Sequence, residues 1–245
     1  MKQQTSLLAA TLVFGMACVE SLPVSANPHD VEEISALSPN LDNGRRIYET
    51  CALCHTPLAW GDEGGRYPRL AGQHASSLIK QLVDIRAGNR DNPTMYPFTQ
   101  APVINSPQDI ADVSAYIAQL LMPPHNGVGT GHHLELGGQI YRSRCAICHG
   151  SDGEGNEEDG YPAVYSQHYR YLERQLHWFK IGKRRNGNKH MYEAIVDLNG
   201  RDIDAVADHM SRLRPPADKT AQPEWQNPDF PTDFRFVPPK PTVTP

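Results

Sequence analysis

The sequence predicts an all-α protein made of one helical domain repeated in tandem, and two observations carry that prediction. The pentapeptide Cys51-Ala52-Leu53-Cys54-His55 returns 94 residues later as Cys145-Ala146-Ile147-Cys148-His149. The residues downstream return with it. Tyr67-Pro68 matches Tyr161-Pro162, Gln73-His74 matches Gln167-His168, and Leu78, Gln81, Gly88 and Arg90 match Leu172, Gln175, Gly182 and Arg184 at the same offset. Similarity at a fixed period marks a duplicated structural unit. Apolar residues around both motifs follow helical spacing, with no strand-like alternation beside either.

Taken in order, Met1 to Ala26 reads as a secretory signal. Lys2 supplies its positive end, Leu7 to Ala17 its apolar run and Val24-Ser25-Ala26 its small-residue cleavage site. Residues 27–39 read as a loose leader. The first domain spans 40–122. A short helix from Leu41 is expected to end near Cys51, and a glycine-rich loop, Gly61 to Gly65, follows His55. Leu78, Leu82 and Ile85 share one face of the next helix, with Gly88 as its stop. A proline-studded polar loop carries Met95. The closing helix has Ser106 as N-cap, Pro107 at its first position and Asp109 completing a capping box, with Ile110, Val113, Ile117 and Leu120 as its buried stripe. Residues 123–133 form a Gly/His linker. The second domain, 134–214, repeats the plan, with Gly138 in the place of Gly44, Met191 in that of Met95 and Asn199 capping the last helix. Residues 215–245 hold nine prolines with Trp225, Phe230, Phe234 and Phe236 among them. Such a tail cannot form a helix or a central strand. It reads as an extended segment anchored by its aromatics, with docking to a partner as the alternative.

Composition narrows the function. A hydrophobic content of 39 % suits modest globular cores, and a mean hydropathy of -0.54 excludes a protein with several membrane spans. The net charge of -5 argues against nucleic acid as a partner. Four of the five cysteines lie in the two pentapeptides and the fifth, Cys18, in the leader, so none is left for a disulfide.

The spacing Cys-x-x-Cys-His places two thiols a helical turn apart, where they can add across the two vinyl groups of a haem, and sets a histidine beside them to ligate the iron. A thioredoxin-like motif would need a βαβ setting, and zinc knuckles usually lie about 15–20 residues apart. A structural disulfide framework would be denser in cysteine. The reading is therefore two covalently bound haem c groups, held by Cys51 and Cys54 and by Cys145 and Cys148, with His55 and His149 as axial ligands. For the opposite axial position the candidates are Met95 and Met191, one per domain, 40 and 42 residues after the histidines. Met1 and Met16 belong to the leader, Met122 stands against Pro123, and Met210 lies on an apolar stripe where methionine is a core filler. His190 stays open as an alternative to Met191, and His74 and His168 read as structural. A thioether raises the haem potential relative to a second histidine, and closure by His and Met on both faces makes electron transfer the default chemistry.

On these residues the chain resembles the two-haem class I cytochromes c, particularly the c4 group. The motifs carrying the resemblance are the paired Cys-x-x-Cys-His, Tyr-Pro-Arg-Leu-Ala-Gly-Gln at 67–73, the Gly-x-Arg before each methionine and Asp-Ile-Ala-Asp-x-x-Ala-Tyr at 109–116. The resemblance implies two tandem class I cytochrome c domains related by a pseudo-twofold. It also implies that the carbonyls of Pro68 and Pro162 accept from the proximal imidazoles. The chain departs from the group at Thr56-Pro57-Leu58-Ala59-Trp60, where glycine is usual, at Ala163-Val164-Tyr165-Ser166, and in its proline-rich tail. The family arginine near the haem carboxylates is thus expected only in domain one, as Arg69, and the two haems should differ in potential.

The expected function is that of a periplasmic single-electron carrier, not an enzyme. Its redox protein partners would be a quinol-side donor and a terminal oxidase or reductase, with peripheral contact to the membrane as a further option. The rivals are a dihaem enzyme, thiosulfate dehydrogenase-like or peroxidase-like, and a fixed subunit of a respiratory complex. Lys180, Lys183, Arg184, Arg185 and Lys189 form a basic cluster expected to steer an acidic redox partner. An acidic run, Asp152 to Asp159, follows the second haem motif.

Overall fold

The computed structural model describes residues 28–231 and residue 234. The predicted leader, with Cys18, and Phe236 lie outside the described residues. Among these, every regular element is helical. Helix α1 (Pro28–Ser35) precedes domain one, which holds α2 (Leu41–His55), α3 (Ala75–Arg86), a 3-10 turn (Tyr96–Thr99) and α4 (Pro107–Ala118). Domain two holds α5 (Leu134–Ile140), a π-helical turn (Tyr141–Cys145), α6 (Ala146–His149), α7 (Tyr169–Lys180), α8 (Lys189–Ile195) and α9 (Gly200–Ser211).

The two closing helices start as their sequences predict. Ser106 accepts from the Asp109 N–H while the Asp109 carboxylate accepts from the Ser106 N–H, and Asn199 and Asp202 make the same reciprocal pair at α9. Ile110, Val113 and Ile117 on α4, and Ile203, Val206 and Met210 on α9, are buried. Two expectations need correction. Residues 28–35 are not a loose leader but form α1, because Val31 and Ile34 find an apolar seat against Ile79, Val83 and Ile104. Helix α2 does not end near Cys51. It runs through both cysteines to His55, so Cys51, Cys54 and His55 stand at i, i+3 and i+4 on one face.

The duplication also carries a one-residue slip that offset counting hides. A Cβ on Gly44 would lie 2.2 Å from the Asp112 carbonyl oxygen, so α2 and α4 cross through that glycine. In domain two the equivalent contact belongs to Gly137, whose Cβ would lie 2.1 Å from the Ala205 oxygen, and not to Gly138. The π-helical turn at 141–145 absorbs the extra residue and returns Cys145 and His149 to register. Gly137→Ala is expected to cost on the order of 1–3 kcal/mol through overpacking. Gly138→Ala, facing only the flexible end of Arg142 and the His209 ring, should be neutral or gain ~0.5–1 kcal/mol of helix propensity. Urea unfolding of the two variants checks the pair.

The described part of the tail lies on domain one. Residues 219–221 pair with Met122, Trp225 stacks on Trp60 with centroids 6.2 Å apart, and Phe230 is buried edge-on against Tyr48. Asn227 donates to the Pro57 carbonyl at 2.9 Å. This is the segment that departs from the resemblance. Thr56 there holds φ +68°, where domain two has Gly150 at +78°, a conformation costing a side-chain-bearing residue ~1–3 kcal/mol. Tyr48, donating to the Thr56 carbonyl at 2.7 Å, and the tail contacts at Pro57 and Trp60 hold the segment in place.

Candidate haem sites

Each motif occupies a helix end facing a proline carbonyl 13 residues on. The His55 Nδ1–H donates to the Pro68 oxygen at 3.1 Å, and the His149 Nδ1–H donates to the Pro162 oxygen at 2.9 Å. With the proton on Nδ1, each Nε2 is a bare lone pair. His55 Nε2 is buried and has no partner in the protein. A buried polar atom left unpaired calls for an explanation, and an imidazole oriented through its other nitrogen is the arrangement of a metal ligand. Burial lowers the His55 pKa to about 4 and also lowers that of His149, so both rings are neutral and able to ligate. Burial pushes the Cys51 thiol up to about 12 and Cys145 up to about 11. Among the described residues no three His, Cys, Asp or Glu side chains converge as a metal cluster.

One continuous cavity of about 1910 Å³ runs past both motifs. Cys51, Cys54 and His55 line it with Met95, and Cys145, Cys148 and His149 line it with Met191. The residues present therefore fit two haem groups. The methionines are fixed by a device that the sequence reading missed. The Met95 N–H donates to the Asn92 side chain at 3.3 Å and the Met191 N–H to the Asn188 side chain at 2.9 Å. An asparagine three residues before each methionine was the available signal. Met191 does not lie in a loop as expected. Asn188 caps α8, and Met191 sits in its first turn. His190 is exposed. Met122 and Met210 are buried as core residues, Met122 where the domains meet against Ala163 and Tyr165.

The domains meet through pairs related by the pseudo-twofold. His74 donates through Nε2 to the Glu154 carbonyl at 2.8 Å, and His168 to the Trp60 carbonyl at 2.7 Å. Gln81 and Gln175 each accept from both Arg90 and Arg184. Arg184 therefore belongs to the interface and not to the basic surface cluster, which comprises Lys180, Lys183, Arg185 and Lys189. Arg69 lines the cavity, and its buried Nε has no partner in the protein. It is fully buried, and its guanidinium donates to the carbonyls of Ala71 and Tyr165.

His168 gives the interface a pH dependence. Its Nδ1 accepts from the Gly127 N–H at 3.2 Å, fixing the neutral Nε2–H tautomer, and burial, with the Arg69 charge, lowers its pKa against the opposing Trp60 hydrogen bond and the Asp62 and Glu63 carboxylates. The unfolded chain then takes up the proton first. The stabilisation is complete above the unfolded value of about 6.5 and falls as pH drops from there towards the lower folded value. His209, also lowered by burial, adds the same sign. Unfolding of the haem-loaded protein should show lower stability at pH 5.5 than at pH 7.5, with the difference reduced in His168→Gln.

Paired helical domains, each with two thiols, an oriented imidazole and a methionine lining one cavity, define a two-haem electron-transfer protein. The chain belongs to the cytochrome c family, whose profile matches residues 41–121 and 134–214. It is 33 % identical to a cytochrome c4 of Pseudomonas aeruginosa, over 69 % of this chain and 87 % of that one. It is 31 % identical to a thiosulfate dehydrogenase electron acceptor of Stutzerimonas stutzeri, over 70 % and 86 %. The crystal structure of reduced cytochrome c4 from Pseudomonas stutzeri superposes with a TM-score of 0.64 at 26 % identity, covering 72 % of this chain and all of that one. The protein is a dihaem, cytochrome c4-like electron carrier with two haem c groups bound covalently through Cys51 and Cys54 and through Cys145 and Cys148.

Proposed function

We propose that the protein is a periplasmic carrier of single electrons and not an enzyme, with one haem held between His55 and Met95 and the other between His149 and Met191. The domains would divide at 40–122 and 134–214 about the 123–133 linker, behind a leader at 1–26. The observation that carries this reading is the pairing, in each domain, of a proline-oriented imidazole and an asparagine-held methionine on one cavity. Haem iron bound there supplies a ferrous–ferric couple. The chain's part is to orient the imidazoles, offer a sulfur that favours the ferrous state and exclude water. Among the described residues no helix is long and apolar enough to cross a membrane. The test is ligand exclusion. The ferrous protein under carbon monoxide should keep its spectrum, and rapid binding at one haem would favour a dihaem enzyme instead.

The donor would be a quinol-side protein and the acceptor a terminal oxidase or reductase. The similarity to a thiosulfate dehydrogenase electron acceptor supports a second donor class, a sulfur-compound dehydrogenase. Lys180, Lys183, Arg185 and Lys189 are exposed beside the exposed Ile181, a charged surface with an apolar centre suited to an acidic partner. Lys183→Glu with Arg185→Glu should slow electron exchange with such a partner at least tenfold at low ionic strength and little at high salt. A rate unchanged at both would remove this surface from the account.

A further inference from the structure

We propose that each proximal histidine is tuned from the opposite domain, with Gln167 acting on the haem at His55 and Gln73 on the haem at His149. The proposal rests on the ligation described under Proposed function. The peptide group joining Pro68 to Arg69 is engaged at both ends. Its carbonyl accepts from His55 Nδ1–H at 3.1 Å, and its N–H donates to Gln167 Oε1 at 3.0 Å. Gln167 Nε2 then donates to the Arg69 carbonyl at 3.0 Å, closing a two-bond clamp. The mirror arrangement is complete. The Pro162–Ala163 peptide accepts from His149 at 2.9 Å and donates to Gln73 Oε1 at 2.9 Å, and Gln73 Nε2 donates to the Ala163 carbonyl at 2.8 Å. Gln167 is 5 % exposed, so water does not compete for its amide.

An amide whose N–H donates is polarised, and its oxygen becomes a stronger acceptor. A stronger acceptor draws the Nδ1 proton and makes the imidazole a more basic ligand. A more basic ligand stabilises ferric over ferrous iron, so each glutamine lowers the potential of the haem in the other domain. The interface therefore sets potentials as well as holding the domains together. Gln73 and Gln167 are positioning residues in this scheme, since neither need touch the haem.

The test uses the full haem-loaded chain carrying Gln167→Met or Gln73→Met, substitutions that keep bulk and neutrality but remove both hydrogen bonds. Redox titration is followed through the haem-methyl resonances of each domain. For Gln167→Met, the domain-one equilibrium should move about threefold towards the ferrous form, or about 30 mV at 59 mV per tenfold, with the domain-two haem shifted far less. Gln73→Met should show the reverse assignment. Equal shifts at both haems, a shift confined to the glutamine's own domain, or no shift would overturn the proposal. A structural role alone would lower stability without that crossed pattern. If one variant fails to fold, the other decides. In the unmodified ferrous protein, scalar coupling from the Arg69 amide nitrogen to the Gln167 side-chain carbonyl carbon should be measurable, and its absence would also count against the relay.

Discussion

Expressed with Cys51, Cys54, Cys145 and Cys148 all replaced by serine, and so without attached haem, the chain is expected to be unfolded. The reason is volumetric. The cavity past the two motifs measures about 1910 Å³, and its lining includes core residues Leu78, Val113, Ile117, Leu172 and Val206. An unfilled apolar cavity costs about 24 cal/mol per Å³. A quarter of this volume left empty would then cost about 11 kcal/mol, comparable with the whole stability of an ordinary domain at ~5–15 kcal/mol. Water is a poor filler where the walls are apolar. Far-ultraviolet circular dichroism of the serine variant should show little helix and no cooperative melt. A helical signal equal to that of the loaded protein would mean that the domains close without their haems.

Replacing Met95 or Met191 by histidine is expected to lower the potential of the haem in that domain by on the order of 0.1 V or more, within the roughly 0.8 V that axial ligands command. Each single variant should lose about half of the weak far-red absorption that sulfur ligation gives ferric haem, and the double variant all of it. Backbone placement should survive in both, because Asn92 and Asn188 bond the N–H of the residue and not its side chain. Potentiometric titration of the two variants checks the pair, and an unmoved midpoint would remove that methionine from the coordination sphere.

What was legible in the sequence is what covalent and capping chemistry fix by spacing. Haem attachment demands Cys-x-x-Cys-His, a capping box demands Ser106 with Asp109, and a duplicated chain repeats both. The proline carbonyls, implied by resemblance, lie within 3.1 Å of their imidazoles. What was not legible depends on how separate segments meet. The exchange of Gly137 for Gly138 follows from a π-helical turn that the fixed offset conceals. The helix under Met191 forms because Asn188 caps it, in a stretch otherwise polar and loop-like. Gln73 and Gln167 were visible as a repeated pair, but their partners lie 90 and 98 residues away in the other domain. Arg184 looked like surface charge and is instead shared between two glutamines across the interface. The tail is the clearest case of context deciding. Its aromatics suited a partner or the protein itself, and they rest on domain one, Trp225 on Trp60 of the unusual Thr56–Trp60 segment and Phe230 on Tyr48.

The near-infrared magnetic circular dichroism of the fully oxidised protein, scaled to its iron content, most directly tests the claim that both irons lie between an imidazole nitrogen and a thioether sulfur. The account predicts a single type of low-spin charge-transfer band at the histidine–methionine position, with intensity for two haems per chain. A bis-histidine band, or a high-spin signal from either haem, would contradict it.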